Sequence, residues 1–174
     1  MLPAFRFFIL GLCCMLSLLS CIRDDSPSGE EGIRVGDKLP EFAVYLDDGS
    51  RLTCSDLSGK VSVLVFFHTG CPDCRQELPV IQKLYDYYRD MSSVNIVCIS
   101  REEPETEVGS YWLENGFTMP YSAQPDRKVY SLFSEKGVPR VYVSDKNLTV
   151  CAVYSDNPIA TFEQLMEDVE ACLK

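Results

Sequence analysis

The sequence predicts an α/β domain: a central mixed β-sheet with helices on both faces and a β-hairpin ahead of them. Three observations point there. "VSVLVFF" (61–67) and "VNIVCIS" (94–100) are near-continuous β-branched and aromatic runs, as strands buried on both faces of a sheet read. Between them Leu78, Ile81, Leu84, Tyr85 and Tyr88 recur at helical spacing. Past them the chain reads as two helices, a hairpin and a last helix, so parallel and antiparallel pairings share one sheet. With 174 residues there is enough chain for one real core and too little for two comfortable ones.

The first segment stands apart. Met1–Ser20 carries one charge, Arg6, followed by the apolar run "FFILGLCCMLSLL", which suits a signal peptide and is too short for a stable span. Leu18-Leu19-Ser20-Cys21 resembles the lipobox of bacterial lipoproteins, which implies cleavage before Cys21 and lipidation of its thiol; ordinary cleavage nearby, leaving a spare thiol, is the alternative. Several acyl chains on one residue hold a membrane firmly, since each buried methylene adds about 0.8 kcal/mol. "IRDDSPSGEEGIRV" then reads as an acidic, flexible linker, which together with Cys21 makes up residues 21–35. Its Arg-Asp-Asp also resembles a surface-export signal of some Gram-negative lipoproteins. Net charge is −10 with no basic cluster, which argues against nucleic acid and anionic lipid surfaces as partners.

The globular domain is expected from Gly36 to Lys174. "FAVYL" (42–46) and "RLTC" (51–54) flank Asp-Gly turn chemistry and read as a hairpin. The strand 61–67 runs into "HTGCPDC", and a helix follows that Pro79 should kink and not end, because the apolar period continues past it. "ETEVGSYWLENG" (105–116) predicts a helix closed by Gly116, and "DRKVYSLFSEKG" (126–137) a second closed by Gly137. "PRVYVSD" (139–145) and "LTVCAVYS" (148–155) form a hairpin, and the last helix opens on a capping box from Thr161 to Gln164. Trp112 is assigned to helix-face packing.

A CxxC between the exit of a strand and the entry of a helix has the context of a redox pair. Disulfide exchange needs a thiolate, and a helix N-terminus offers Cys71 unpaired N–H groups and the positive end of the dipole. Pro72 at the first helical position costs no helix hydrogen bond. Cys74, one turn in, lies beside Cys71 but shielded, which makes the second exchange intramolecular. Asp73 opposes the dipole, so the reduced form is less stabilised and the pair should act as a reductase.

"VLVFFHTGCPDCRQELP" followed by "GVPRVYVSD" resembles the thioredoxin superfamily, and within it the membrane-tethered extracytoplasmic thiol–disulfide oxidoreductases of the TlpA/ResA type. The resemblance implies a thioredoxin-like fold with a helix-containing insert before a cis-proline. It implies Cys71 as nucleophile, Cys74 as resolving thiol, Glu77 as the acidic residue one turn on, and Pro139 as that cis-proline. Val138, with its backbone free, and Gly70 would then border the substrate. Two positions depart from the wider superfamily: Gly70 replaces the usual Trp and should leave Cys71 more open. Val65 replaces the buried Asp of thioredoxin, which shifts proton handling to Glu77.

The resemblance further implies protein disulfides as substrates, a thiol electron donor, and no cofactor beyond the Cys71–Cys74 pair itself. It places a monomer, lipid-anchored through Cys21, in a Gram-negative cell envelope, facing the periplasm or the surface. Other readings stand beside it. The fold could bind a thiol- or metal-bearing partner without turnover. A zinc site would need a second pair of ligands, and Cys54, Cys98, Cys151 and Cys172 are scattered singly with one His in the chain. A copper chaperone would use CxxxC and a distant His. A peroxiredoxin would need Thr or Ser where His68 stands and Pro where Leu64 stands. His68 is read as a strand-end residue without catalytic role, and Glu77 has the alternative of a plain exposed helix glutamate. Cys98 and Cys151 are expected to be inert core cysteines, while a structural disulfide among Cys54, Cys151 and Cys172 is open.

Overall fold

The computed structural model describes residues 32–174. The expected signal segment, Cys21 and most of the linker lie outside the described residues. The elements are β1 (Ala43–Tyr45), β2 (Arg51–Thr53), β3 (Val61–Phe67), α1 (Pro72–Tyr88), β4 (Val94–Ser100), α2 (Glu105–Asn115), β5 (Tyr121–Ser122), β6 (Arg140–Ser144), β7 (Val150–Tyr154) and α3 (Phe162–Leu173).

β3 and β4 occupy the two runs expected of them. β3 is buried along its whole length and is the middle strand of a five-stranded sheet ordered β5-β4-β3-β6-β7. It pairs parallel with β4, from Val61↔Val94 to Phe67↔Ser100, and antiparallel with β6. Burial on both faces explains why it lacks polar alternation. β1 and β2 make a separate antiparallel hairpin, tied to β5 where Asp47 N–H donates to the Tyr121 carbonyl at 2.9 Å.

Successive residues of a strand face opposite ways, and the end of β3 shows what each face carries. Phe67 meets Trp112 of α2, ring centroids 4.9 Å apart. Phe66 meets Tyr130 and Phe133 at 5.6 and 4.7 Å on the other side. Trp112 is nearly buried, and its indole N–H donates to the Met119 carbonyl at 2.9 Å, so it packs as expected. Helical segments therefore cover both faces.

Three expectations change. The helix expected over 126–137 shrinks to a single 3₁₀ turn, Tyr130–Leu132. Its carbonyls have other partners: Phe133 O accepts from Ile33 N–H and from the Tyr142 hydroxyl, and the Tyr130 hydroxyl donates to Gly137 O. Tertiary bonds outbid the helical ladder. Second, the docked chain begins ahead of Gly36. Gly32 bridges Ser134 at a φ of 146°, where a Cβ would stand 2.5 Å from Phe133 O, so only glycine permits that approach. Third, β5 was not foreseen; its two residues extend the sheet beside β4.

α1 runs through Pro79 without a break, its buried side chains being Cys74, Glu77, Leu78, Ile81, Leu84 and Tyr88. α2 ends at Gly116 with φ 67°, and the Thr161–Gln164 capping box opens α3.

Candidate active site

Cys71 is the N-cap of α1, with extended backbone, Pro72 and Asp73 following it in the first turn. Its N–H donates to His68 O at 3.0 Å, closing the turn between strand and helix. The thiol is half-buried and its Sγ donates to the Val138 carbonyl at 3.3 Å. The Val138–Pro139 bond is cis, and this contact brings the loop before β6 against Cys71. The Val138 carbonyl expected to be free is thus occupied by the thiol, so a pairing substrate must displace it.

Cys74 lies one turn into α1 and is fully buried; burial pushes its thiol well above the ordinary range, and Glu77 adds to this. All six described cysteines carry free thiols. The structure therefore separates the pair by access: one sulfur at the surface of the helix end, the other beneath it.

Glu77 is not an exposed helix glutamate. It is 1% exposed, on the helix face of Cys74 one turn on, and Ala160 N–H donates to its Oε1 at 3.4 Å while Oε2 has no partner. Desolvation raises its pKa to about 7, against the smaller lowering by the Ala160 bond. A buried carboxyl that titrates near neutrality can hold or release a proton beside a thiol. Val65, the position where proton handling was ruled out, is an ordinary core side chain.

The loop carrying Gly70 is held by groups with no sequence signal. Glu103 is 1% exposed and accepts from the Thr69 N–H at 2.9 Å and from the Thr69 hydroxyl. Arg75 Nε donates to Thr69 O at 2.5 Å while its guanidinium lies over the Tyr111 ring. His68 Nδ1 accepts from Gly70 N–H at 2.9 Å, and Glu103 Oε1 is 3.5 Å from the same nitrogen. Gly70 is exposed, and a Cβ there would lie 3.1 Å from that Nδ1. A buried glutamate bonding a segment 34 residues earlier leaves no local pattern, which is why Glu103 was not among the expected site residues.

Cys98 is buried in β4, where desolvation raises its pKa well above the ordinary thiol, as an inert core cysteine should. Cys151 corrects its expectation: it is half-exposed. Among the described residues no group of three or more His, Cys, Asp and Glu converges as a metal cage.

Residues 35–158 match the AhpC/TSA family. The chain is 30% identical over 143 residues to the thiol–disulfide oxidoreductase ResA of Oceanobacillus iheyensis, covering 80% of this chain and 72% of that one. It is 28% identical over 116 residues to ResA of Bacillus subtilis, covering 67% and 64%. Among solved structures it superposes with TM-score 0.77 on a Bacteroides thetaiotaomicron protein proposed to be a protein disulfide isomerase, at 26% identity over 83% of this chain and 94% of that one. StoA from Bacillus subtilis shares the fold at TM-score 0.64 and 20% identity, over 75% and 96%.

Proposed function

The chain belongs to the AhpC/TSA family as a thioredoxin-fold member of the ResA/TlpA type, a thiol–disulfide oxidoreductase, and from that premise we propose that it reduces protein disulfides through Cys71 and Cys74 outside the cytoplasm. The observation that carries this reading is the division of labour at the start of α1. Cys71 Sγ is accessible at a helix N-terminus and lies against the Val138 carbonyl, while Cys74 is buried with Glu77 beside it.

The steps follow from that arrangement. The Cys71 thiolate attacks a substrate sulfur, forming a mixed disulfide and releasing the first substrate thiolate, which takes up a proton. Cys74 must then lose its proton in a pocket that penalises charge. An ionised Glu77 would oppose a second negative charge there, so passing the Cys74 proton to the Glu77 carboxylate keeps one charge in the pocket instead of two. Cys74 attacks Cys71 Sγ, the second substrate thiolate leaves, and Glu77 supplies its proton. The chain is left with a Cys71–Cys74 disulfide, and a thiol donor restores it.

Asp73, half-buried in the first turn, adds negative charge near the developing thiolate, which supports a reductase over a strong oxidant. Gly70, Val138 and Pro139 line the approach to Cys71. An extended substrate segment would pair with the Val138 backbone in place of the thiol contact, reading backbone more than side chains. The anchor is proposed at Cys21, on the resemblance of Leu18-Leu19-Ser20-Cys21 to a lipobox. Reduction of insulin by dithiothreitol, followed by turbidity, tests the reading. The wild-type chain should accelerate it and Cys71→Ser should not. Equal rates with and without the wild-type chain would favour a binding module, and peroxide consumption in its place a peroxidase.

A further inference from the structure

We propose that Cys151 and Cys172 form a second disulfide, one that fixes the end of α3 to the start of β7 and is kept closed while Cys71–Cys74 turns over. This goes beyond the proposed reaction and holds whichever substrate Cys71 serves.

The fold brings the two thiols together from both sides. The Tyr154 hydroxyl donates to Asp168 at 2.5 Å, and Lys146 Nζ donates to Leu173 O at 2.7 Å. These bonds set α3 antiparallel to β7, Asp168 at the far end of the strand and Leu173 beside the preceding turn. Cys172 is about 6 Å further along the helix axis than Asp168, and Cys151 about 10 Å back along the strand from Tyr154. Both are therefore carried toward the Lys146 end.

Strict alternation would turn Cys151 to the sheet face opposite Tyr154 and α3. The strand does not alternate strictly there. The register steps from Val143↔Ala152 to Ser144↔Val150, leaving Cys151 without a partner on β6. Such a bulge re-aims the extra side chain, and the Cys151 thiol lies against that of Cys172. Cys54, the third candidate, is instead buried beside Leu39.

The surroundings explain why this pair would be held. Cys172 stands in the last turn of α3, at the negative end of the helix dipole. Burial, the adjoining Cys151 thiol and the carboxylates of Asp145 and Asp168 push its pKa up to about 12. A thiol that ionises so reluctantly is a poor leaving group, and its reduced form gains nothing from the thiolate. Both effects favour the closed disulfide.

Closure needs a disulfide as oxidant, either a low-molecular-weight one or the oxidised Cys71–Cys74 pair of a second copy. The Cys151 thiolate attacks one oxidant sulfur and expels the other as thiolate. The Cys172 thiolate then attacks Cys151 Sγ, expelling the second. One S–S bond forms, one breaks, and the two protons lost end on the two released thiols.

The full chain and its Cys71→Ser/Cys74→Ser variant are equilibrated with oxidised glutathione, alkylated, digested without reductant and mapped by mass spectrometry. The expected product in both is a peptide pair joined through Cys151 and Cys172, two hydrogens lighter than the reduced pair. On stepwise addition of dithiothreitol to wild type, the Cys71–Cys74 bond should open first. Alkylation of both Cys151 and Cys172 after Cys71–Cys74 has closed, a Cys54 linkage, or opening of Cys151–Cys172 first would overturn the proposal.

Discussion

The two ends of two helices, each with a pair of thiols, make opposite chemistry from one functional group. At the start of α1, Cys71 stands at the N–H end of its helix, and its partner Cys74 sits one turn on in the same helix. At the end of α3, Cys172 meets the carbonyl end of its helix and two carboxylates, and its partner comes from another element. The first end favours a sulfur anion and the second disfavours it. The contrast teaches that a CxxC is one way to pair thiols, and that the helix end on which the sulfur sits decides whether the bond is exchanged or kept.

The largest effect should be kinetic. In the fully reduced chain at neutral pH, iodoacetamide should modify Cys71 at least about a hundredfold faster than Cys172 or Cys74, because alkylation needs an accessible thiolate. Comparable rates at Cys71 and Cys172 would erase the distinction between the ends.

Glu77 comes next. The unfolded chain releases this proton near 4.5 and the folded one near 7, so the folded state binds more protons between those values. Its contribution to stability is therefore greatest at low pH and falls as pH rises through that window, by about 3 kcal/mol at most. Urea unfolding at pH 5 and pH 8 should show this decline in wild type and lose it in Glu77→Gln. Glu77→Gln should also slow the second exchange step, leaving alkylation of Cys71 unchanged; a normal rate would remove Glu77 from the proton path.

The second pair is expected to add about 3 kcal/mol when closed, as a loop of its length does. Thermal unfolding of Cys71→Ser/Cys74→Ser with and without reductant measures it. Glu103→Ala leaves the Thr69 N–H and hydroxyl without their buried acceptor and should cost about 1–3 kcal/mol. It should also lower the insulin-reduction rate, since the loop before Cys71 loses its hold. The smallest effect is Asp73→His. Removing a half-exposed charge should raise the reduction potential of the Cys71 pair by about 10–20 mV, scaled from the modest worth of surface charges. A lower potential would reverse the argument for a reductase.

What could be read from the chain and what could not follows from range. β3, β4, the first hairpin and the α3 capping box were legible because their signals are local: a β-branched run, Asp-Gly, Thr161 with Gln164. The thioredoxin-like fold was legible because CxxC and Val138-Pro139 sit where they must around those strands. The 126–137 segment misled because its apolar spacing is helical, yet Tyr130 and Phe133 spend their polar groups on Gly137, Ile33 and Tyr142. Glu77 could be placed on α1, but the N–H that its carboxyl meets belongs to Ala160, distant in sequence. Glu103 and the bulge at Cys151 are purely tertiary: nothing in "REEPE" or "TVCAV" marks them.

The measurement that reaches the central claim most directly is a trap. Cys74→Ser is mixed with a disulfide substrate such as insulin, quenched with acid and mapped by mass spectrometry. With Cys71 as the exchanging sulfur and Cys74 as the group that resolves it, the substrate chain should accumulate covalently on Cys71, and the adduct should be released by dithiothreitol. No adduct at Cys71, or one carried instead by Cys74 in the reciprocal Cys71→Ser variant, would contradict the account.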